Sequence, residues 1–263
     1  MARSLAGGLL QNGWDGGRLI LADPHGQQRD TMEKSLGLKV YANNVDVAQR
    51  ADILVFAVKP QVFGTVALEL ATLVQKKRPL IISIVAGVRS ADIERWLGGN
   101  LAIVRAMPNT PALIGSGASG LYANARVSDA QRNQAESILR AVGIVTWVKD
   151  EQLIDVVTAL SGSGPAYFFL VMEALEQAAI AAGLDTKQAR LLTLETAFGA
   201  AKMALESGEE PAILRQRVTS PGGTTERAIK VMEELGVRRI LEQAVTAATR
   251  RAGELGDLFG KNP

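Results

Sequence analysis

The sequence predicts an α/β domain built on a doubly wound sheet, followed by an all-helical domain. Short apolar runs alternate with helical patterns up to about residue 150. The runs are continuous rather than alternating, which is typical of parallel strands that are buried on both faces. Beyond that point strand patterns stop and long helical patterns follow. We therefore predict one domain at residues 1–150 and a second at residues 151–263.

The elements of the first domain follow from this alternation. Apolar runs predict strands at residues 18–22, 53–58, 80–85 and 102–107. Helical patterns lie between them, and strands that alternate with helices imply right-handed crossovers in a parallel sheet. Two further strands, at residues 120–122 and 145–148, flank a predicted helix at 129–142.

The second domain begins with a helix from Pro165 that is apolar on nearly every face. Its Glu173, Glu176 and Gln177 would be costly in lipid, so we interpret it as a core helix rather than a membrane span. A helix that is buried on every side needs partners on every side. We expect a second copy of the chain to supply some of them. Further helices are predicted to about residue 255.

Composition excludes several classes of protein. The 263 residues include 29 Lys and Arg against 27 Asp and Glu, giving a net charge of +2, and the basic residues are scattered. This charge distribution predicts no basic surface for binding nucleic acid. Zero Cys and a single His exclude disulfides, thiol catalysis and His-pair metal sites, so we predict no metal. No signal peptide is recognisable. We predict a cytoplasmic protein with no nucleic-acid or membrane partner.

Three segments at predicted strand ends are candidates for ligand binding, because ligands bind beyond the carboxyl ends of strands in open sheets. Lys59-Pro60 ends one strand. In Ser83–Gly87 the residues are mostly small, so a flat ring could approach the backbone. In the loop at residues 105–111, two prolines hold Asn109 extended. The alternative for Lys59-Pro60 is a simple turn. For Ser83–Gly87 it is tight packing, and for the loop at 105–111 it is a rigid crossover to the next strand.

Two segments of small residues, at 161–165 and 219–225, are predicted to open helices. Free N–H groups at such helix starts favour an anion, although ordinary capping explains either one alone. Asp23 follows the first strand, where an acidic residue could hydrogen-bond a ribose and repel a 2′-phosphate. The alternative is a turn at Asp23-Pro24.

Taken together, these segments resemble pyrroline-5-carboxylate reductase. Six segments carry the resemblance, in matching order and spacing over essentially the whole chain: AVKP at 57–60, VAG at 85–87, MPNTP at 107–111, GASG at 117–120, SGSGPAY at 161–167 and SPGGTT at 220–225. The last two, in this order after VKP and MPNTP, make the resemblance highly specific.

The resemblance implies a Rossmann-like dinucleotide-binding domain and a helical domain that binds substrate and dimerises. It implies reduction of 1-pyrroline-5-carboxylate to L-proline with NADPH or NADH, in a homodimer or a larger homo-oligomer. With the strand-end candidates, the predicted cofactor residues are Asp23, Asn44, Val58, Lys59, Pro60, Ala86, Gly87 and Asn109. The predicted substrate residues are Glu151, Ser220, Gly223, Thr224 and Thr225.

Thr225 is the predicted catalytic residue, as a proton donor or orienting group. A protonated imine is already an electrophile, so a strong general acid is not needed. The helix from Pro165 to Ala182 has no His or Lys, whereas a hydroxyacid dehydrogenase would be expected to place a Lys there. The alternatives are a dehydrogenase of another cyclic imine or hydroxyacid, and a catalytically impaired truncated form.

The resemblance has one departure at the start of the sequence. A dinucleotide fold opens with a strand and a glycine-rich phosphate loop, whereas residues 1–9 resemble the helix that follows this loop. Gly7 and Gly8 are expected inside that helix. We therefore expect that the strand and loop are missing, that a gap separates the strands at 18–22 and 53–58, and that cofactor binding by this polypeptide is impaired.

Overall fold

A computed structural model of the protein describes residues 1–261. The chain divides into two units. One consists of Met1–Ser163 together with the segment that starts at Ala247, and the other is Gly164–Thr246. The predicted domain boundary at residue 150 stays a prediction.

Strands and helices alternate in the first unit, as the apolar runs predict. The strands are β1 (Leu21–Ala22), β2 (Val40–Tyr41), β3 (Ile53–Phe56), β4 (Leu80–Ser83), β5 (Ile103–Met107), β6 (Gly117–Ala123) and β7 (Gly143–Trp147). The helices are α1 (Ala2–Gln11), α2 (Gly26–Leu36), α3 (Asn44–Ala48), α4 (Pro60–Lys77), α5 (Ser90–Trp96), α6 (Asp129–Arg140) and α7 (Leu153–Val157). Short 3₁₀ turns occupy Gly16–Arg18 and Thr110–Ile114.

The strands form two sheets. β1 and β2 pair in parallel, and a five-stranded sheet has the order β3-β4-β5-β6-β7. Within residues 1–261 no strand pairing joins the two sheets. Gly7 and Gly8 lie inside α1, as expected.

The larger sheet is covered on both faces, as continuous apolar runs require. Ile81 packs into one core cluster with residues of α4 and α5. Its neighbours Leu80 and Ile82 pack into a second cluster with residues of α1 and α6. All three side chains are buried, so successive residues of β4 fill opposite faces of the sheet.

Two details of the predicted sheet are wrong. β6 runs antiparallel to β5, so the sheet is mixed rather than parallel, because a 3₁₀ turn and not a crossover helix joins these two strands. The predicted strand at 18–22 is reduced to Leu21–Ala22. Asp15 caps a 3₁₀ turn there by accepting a hydrogen bond from Gly17 N at 2.8 Å, and glycines disfavour strands.

The second unit contains α8 (Gly164–Ala181), α9 (Thr186–Glu206), α10 (Pro211–Arg217), α11 (Thr224–Glu234) and the first part of α12 (Val237–Gly260). Its own chain leaves α8 largely uncovered, since Phe168 is 69% exposed and Phe169 is 62% exposed. Leu153–Ala181 is long and apolar enough to cross a membrane by length and composition alone. An apolar helix that its own chain does not cover requires another partner.

Candidate active site

Three strand ends lie level with one another at the carboxyl edge of the larger sheet. Phe56 of β3 pairs with Ser83 of β4, and Ser83 pairs with Arg105 of β5. All three strands are parallel, so the residues just beyond these positions share one edge of the sheet. The predicted cofactor residues at this edge are Val58, Lys59, Pro60, Ala86, Gly87 and Asn109.

Lys59 occupies the N-cap position of α4, and no side chain caps this helix. Lys59 is exposed, and within residues 1–261 it has no ion-pair partner. Pro60 is the first helical residue, a position that suits proline because the missing N–H would be unpaired anyway. An uncapped helix start beside an exposed lysine side chain is suited to bind an anionic dinucleotide.

The segment between β4 and α5 is held by the last turns of α12. Gly87 has a φ of +70°, and a Cβ there would lie 3.0 Å from Phe259 Cδ2 and 3.3 Å from Leu255 Cβ. Glycine is therefore required both by conformation and by space. Arg89 donates to Gly253 O at 3.3 Å and forms an ion pair with Asp257 at 2.7 Å.

Asn109 bridges two other segments. Its Oδ1 accepts from Ala118 N at 2.9 Å, and its Nδ2 donates to Ser161 O at 3.0 Å. A proline clashes with the carbonyl four residues earlier and cannot donate to it, so Pro165 leaves Ser161 O without a helical partner. Asn109 supplies that partner. Whether Asn109 also contacts the cofactor stays a prediction.

The segment at 161–165 lies where a π-helical turn meets α8, which begins at Gly164, so it opens a helix as predicted, and an anion site there stays a prediction. Thr158–Gly162 forms a π-helical turn that continues directly from α7. Ser163 N donates to Thr158 O at 2.8 Å, so this N–H is not free. Gly162 closes the π-helical turn, whereas Gly164 and Pro165 are the first two residues of α8.

Asp23 and Asn44 lie beyond the carboxyl ends of β1 and β2. Asp23 N donates to Tyr41 O at 3.0 Å, and its Oδ1 accepts from His25 N at 2.8 Å. Arg29 donates to the carbonyls of Asp23 and Pro24 at 3.1 and 2.9 Å. These hydrogen bonds are compatible with the turn alternative for Asp23, and a role at the ribose stays a prediction.

Glu151 lies in a buried polar cluster with two residues that the sequence analysis does not single out for binding. Its Oε1 accepts from Ser90 N at 2.6 Å and from Arg105 NH1 at 2.8 Å, and its Oε2 accepts from Ser90 Oγ at 2.5 Å. Burial raises the pKa of Glu151, but the Ser90 hydrogen bonds and the Arg105 charge outweigh it and lower the pKa overall. The pKa of neighbouring Asp155 is raised by burial.

The remaining predicted residues lie at the start of α11, in the second unit. Gly223 is the N-cap, and Thr224 and Thr225 are the first two helical residues. No side chain caps this helix, and Gly223 N donates to Ser220 O at 3.0 Å. Helices leave their first N–H groups unpaired, so this helix start can accept a carboxylate.

One depression in the surface involves none of the predicted site residues. An open depression of about 410 Å³ is lined by Asn12, Trp14, Asn133, Glu136, Ser137, Arg140 and Ala141. None of its lining residues belongs to the level strand ends, which therefore remain the candidate site. In the part of the chain described, no three His, Asp or Glu side chains are grouped so as to hold a metal ion.

Two family models match separate parts of the chain. Residues 1–87 match the family described as NADP oxidoreductase coenzyme F420-dependent. Residues 151–255 match the family described as pyrroline-5-carboxylate reductase dimerisation. The second match supports homo-oligomerisation through the helical region that leaves α8 uncovered.

Individual relatives agree over almost the full length. The pyrroline-5-carboxylate reductase of Pseudomonas aeruginosa is 49% identical over 261 residues, which are 99% of this chain and 95% of the relative. The structure of the Coxiella burnetii enzyme matches with a TM-score of 0.93 and 47% identity, covering 97% of this chain and 94% of that one. The Plasmodium falciparum enzyme, whose structure has NADP bound, matches with a TM-score of 0.84 and 30% identity, covering 96% and 93%. This chain belongs to the pyrroline-5-carboxylate reductase family.

Proposed function

We propose that this chain reduces 1-pyrroline-5-carboxylate to L-proline with NADPH or NADH. The observation that carries the proposal is the level alignment of the ends of β3, β4 and β5, with the uncommitted Lys59 at an uncapped helix start. The near full-length similarity to enzymes of that name supports the same reaction.

The first unit offers the residues that would hold the dinucleotide. Lys59 and the N-terminus of α4 suit its negative charge. Ala86 and Gly87 carry almost no side chain, so a flat ring could lie against their backbone. Asp23 and Asn44 are the proposed residues at the adenosine ribose. When bound, NAD(P)H supplies a hydride for the imine carbon.

The start of α11 offers the residues that would hold the substrate. The backbone N–H groups of Thr224 and Thr225 would bind its carboxylate, aided by the positive end of the helix dipole, whereas Gly223 N is engaged by Ser220 O. The Thr225 hydroxyl would orient the imine or donate a proton to its nitrogen. A single preorganised donor suffices, because the protonated imine is already an electrophile.

The proposed minimal unit is a homodimer in which α8 is covered by the partner chain. The exposed apolar side chains of α8 and the dimerisation family match support this assembly. In each active site the α11 start would lie beside a helix of the other chain. The proposed location is the cytoplasm, a reducing compartment in which a chain without Cys is unremarkable.

Thr225→Ala tests the proposal, with Thr224→Ala as the matched control. Loss of one transition-state hydrogen bond typically costs about 10²-fold in kcat. We expect that loss for Thr225→Ala, with a smaller change in KM because backbone groups hold the carboxylate. The assay follows NADPH oxidation on addition of 1-pyrroline-5-carboxylate. A kcat for Thr225→Ala within about threefold of the unmodified chain contradicts the role of Thr225.

A further inference from the structure

Three residues from separate elements form one buried polar cluster, which we call the Glu151 cluster: Ser90 in the first turn of α5, Arg105 on β5, and Glu151 in the turn before α7. The Arg105 side chain is 5% exposed and that of Glu151 is 22% exposed. A carboxylate and a guanidinium this far from water are costly unless they are fully paired. The bonds at 2.5–2.8 Å engage both oxygens of Glu151 and pair one of them with Arg105.

Glu151 performs the task of a helix cap for α5, although it lies 61 residues further along the chain than Ser90. Arg89 occupies the N-cap position and provides no side-chain cap. The first N–H groups of a helix have no intrahelical partners, and negative charge is favourable at this end. The start of α5 is therefore fixed from outside the helix.

The fixed point lies next to the cofactor segment. Ser90 is three residues beyond Gly87, at the end of the short connection from β4 to α5. Arg89 is held by Asp257 and Gly87 is packed against Phe259. The connection is thus anchored to α12 at two residues and to the Glu151 cluster at a third.

We propose that Glu151 is a positioning residue that, through Ser90 and Arg105, fixes the Ala86–Gly87 connection in the conformation that receives the dinucleotide. The inference rests on the proposed function. It differs from the role at the substrate that the resemblance implies for Glu151, because both carboxylate oxygens are already engaged by protein donors.

Glu151→Gln tests this role, with Glu136→Gln as the matched control. Glu136 also accepts short hydrogen bonds, from Arg140 at 2.8 Å and Trp147 at 2.7 Å, and its pKa is also lowered, first by the bond from Trp147. It lies on α6 and has no hydrogen bond to Ser90, Arg105 or Glu151 among the contacts of residues 1–261. Both variants remove one negative charge from a hydrogen-bonded carboxylate. Ser90→Ala is the milder third variant, since Ser90 N and Arg105 still satisfy the carboxylate.

Three measurements separate positioning from general stability and from substrate contact. Fluorescence titration gives the Kd for NADPH, steady-state kinetics gives the KM for 1-pyrroline-5-carboxylate at saturating NADPH, and amide hydrogen exchange reports residues 86–93 without cofactor. For Glu151→Gln we expect a Kd about tenfold higher, equivalent to about 1.4 kcal/mol, faster exchange in that segment, and a substrate KM within about twofold of the unmodified chain. Ser90→Ala should show the same pattern with a Kd raised about threefold. Glu136→Gln should leave all three unchanged.

Each contrary result has a distinct meaning. If Glu151→Gln and Ser90→Ala leave Kd and exchange at the values of Glu136→Gln, the positioning role is wrong. A raised substrate KM with an unchanged Kd for NADPH overturns it in favour of direct substrate contact. If the unmodified chain does not reduce 1-pyrroline-5-carboxylate at all, the proposed function fails, whereas the exchange comparison still decides what Glu151 holds in place.

Discussion

Replacing Gly8 by alanine should destabilise the first unit, whereas the same change at Gly7 should stabilise it slightly. Both residues lie inside α1, where alanine is favoured over glycine by about 0.8–1 kcal/mol. At Gly7 a Cβ would meet only Leu36 Cδ2, at an ordinary 3.5 Å. At Gly8 it would lie 2.5 Å from Ala141 O and 2.6 Å from Val142 Cγ1. Gly7 and Gly8 therefore differ in the room available for a Cβ and not in helix propensity.

The magnitude at Gly8 follows from what must move. The contact to Ala141 O has to open by about 0.9 Å to reach the 3.4 Å of ordinary contact. That oxygen also accepts a hydrogen bond from Asn12 Nδ2 at 3.2 Å, which the movement would weaken. Overpacking costs about 1–3 kcal/mol and the weakened hydrogen bond about 1 kcal/mol. After the gain in propensity, Gly8→Ala should lose about 1–3 kcal/mol and Gly7→Ala should gain about 0.5–1 kcal/mol.

Tryptophan fluorescence during urea unfolding measures this difference in the relevant unit, because Trp14, Trp96 and Trp147 all lie there. In thermal melts the loss at Gly8 corresponds to a Tm lower by about 2–10 °C. A Gly8→Ala protein as stable as the unmodified chain would refute the close packing of α1 on the Ala141–Val142 segment. A Gly7→Ala protein that is destabilised equally would show that helix position, and not this contact, decides the outcome.

Three further changes have defined outcomes. Asp23→Ser should raise the ratio of kcat/KM for NADPH to that for NADH, because a negative charge near the ribose repels a 2′-phosphate; an unchanged ratio removes Asp23 from that site. Glu151 has a lowered pKa in the folded protein, so its contribution to stability is present above its ordinary pKa near 4.3 and is lost as the pH falls through the lower folded value. The Tm of Glu151→Gln should therefore fall less between about pH 5 and 3 than the Tm of the unmodified chain. An equal fall in Tm for both proteins contradicts the lowered pKa of Glu151. Phe169→Lys should weaken the dimer at least about hundredfold by light scattering, because burial of Phe contributes about 1.5–3 kcal/mol and a twofold interface contains the change twice. Ile114→Lys, at a residue of the first unit that is 80% exposed against 62% for Phe169, is its control, and a compact monomer of the unmodified chain at low micromolar concentration would refute the dimer.

The sheet could be predicted from sequence where burial alone decides the structure. Leu80–Ser83 and Ile103–Met107 are apolar runs because both faces of the strand are covered. The direction of β6 could not be predicted, since Gly117–Ala123 carries small residues that suit either direction equally. Strand direction depends on the connection between β5 and β6. That connection is a 3₁₀ turn, which has no hydrophobic periodicity that could be detected in the sequence.

The position of candidate residues could be predicted at strand ends, but not where residues distant in sequence come together. Lys59 and Ala86 could be assigned to one edge of the sheet because the carboxyl ends of parallel strands share an edge. Glu151 pairs with residues 46 and 61 positions away, a relation that no local pattern encodes. One signal was present in the sequence, since Arg105 lies within a run that reads as buried on both faces and must have an acidic partner.

The return of α12 to the first unit has a consequence for how the protein is made. Gly253 and Asp257 hold Arg89, and Phe259 packs on Gly87, from more than 160 positions further along the chain. At about 5–20 residues per second, a ribosome needs on the order of ten to thirty seconds to synthesise the intervening chain. During that time Gly87 and the surface beside it face solvent or a chaperone. The connection between β4 and α5 is therefore synthesised early. Its contacts with α12 form only late, after the helices of the second unit have been synthesised.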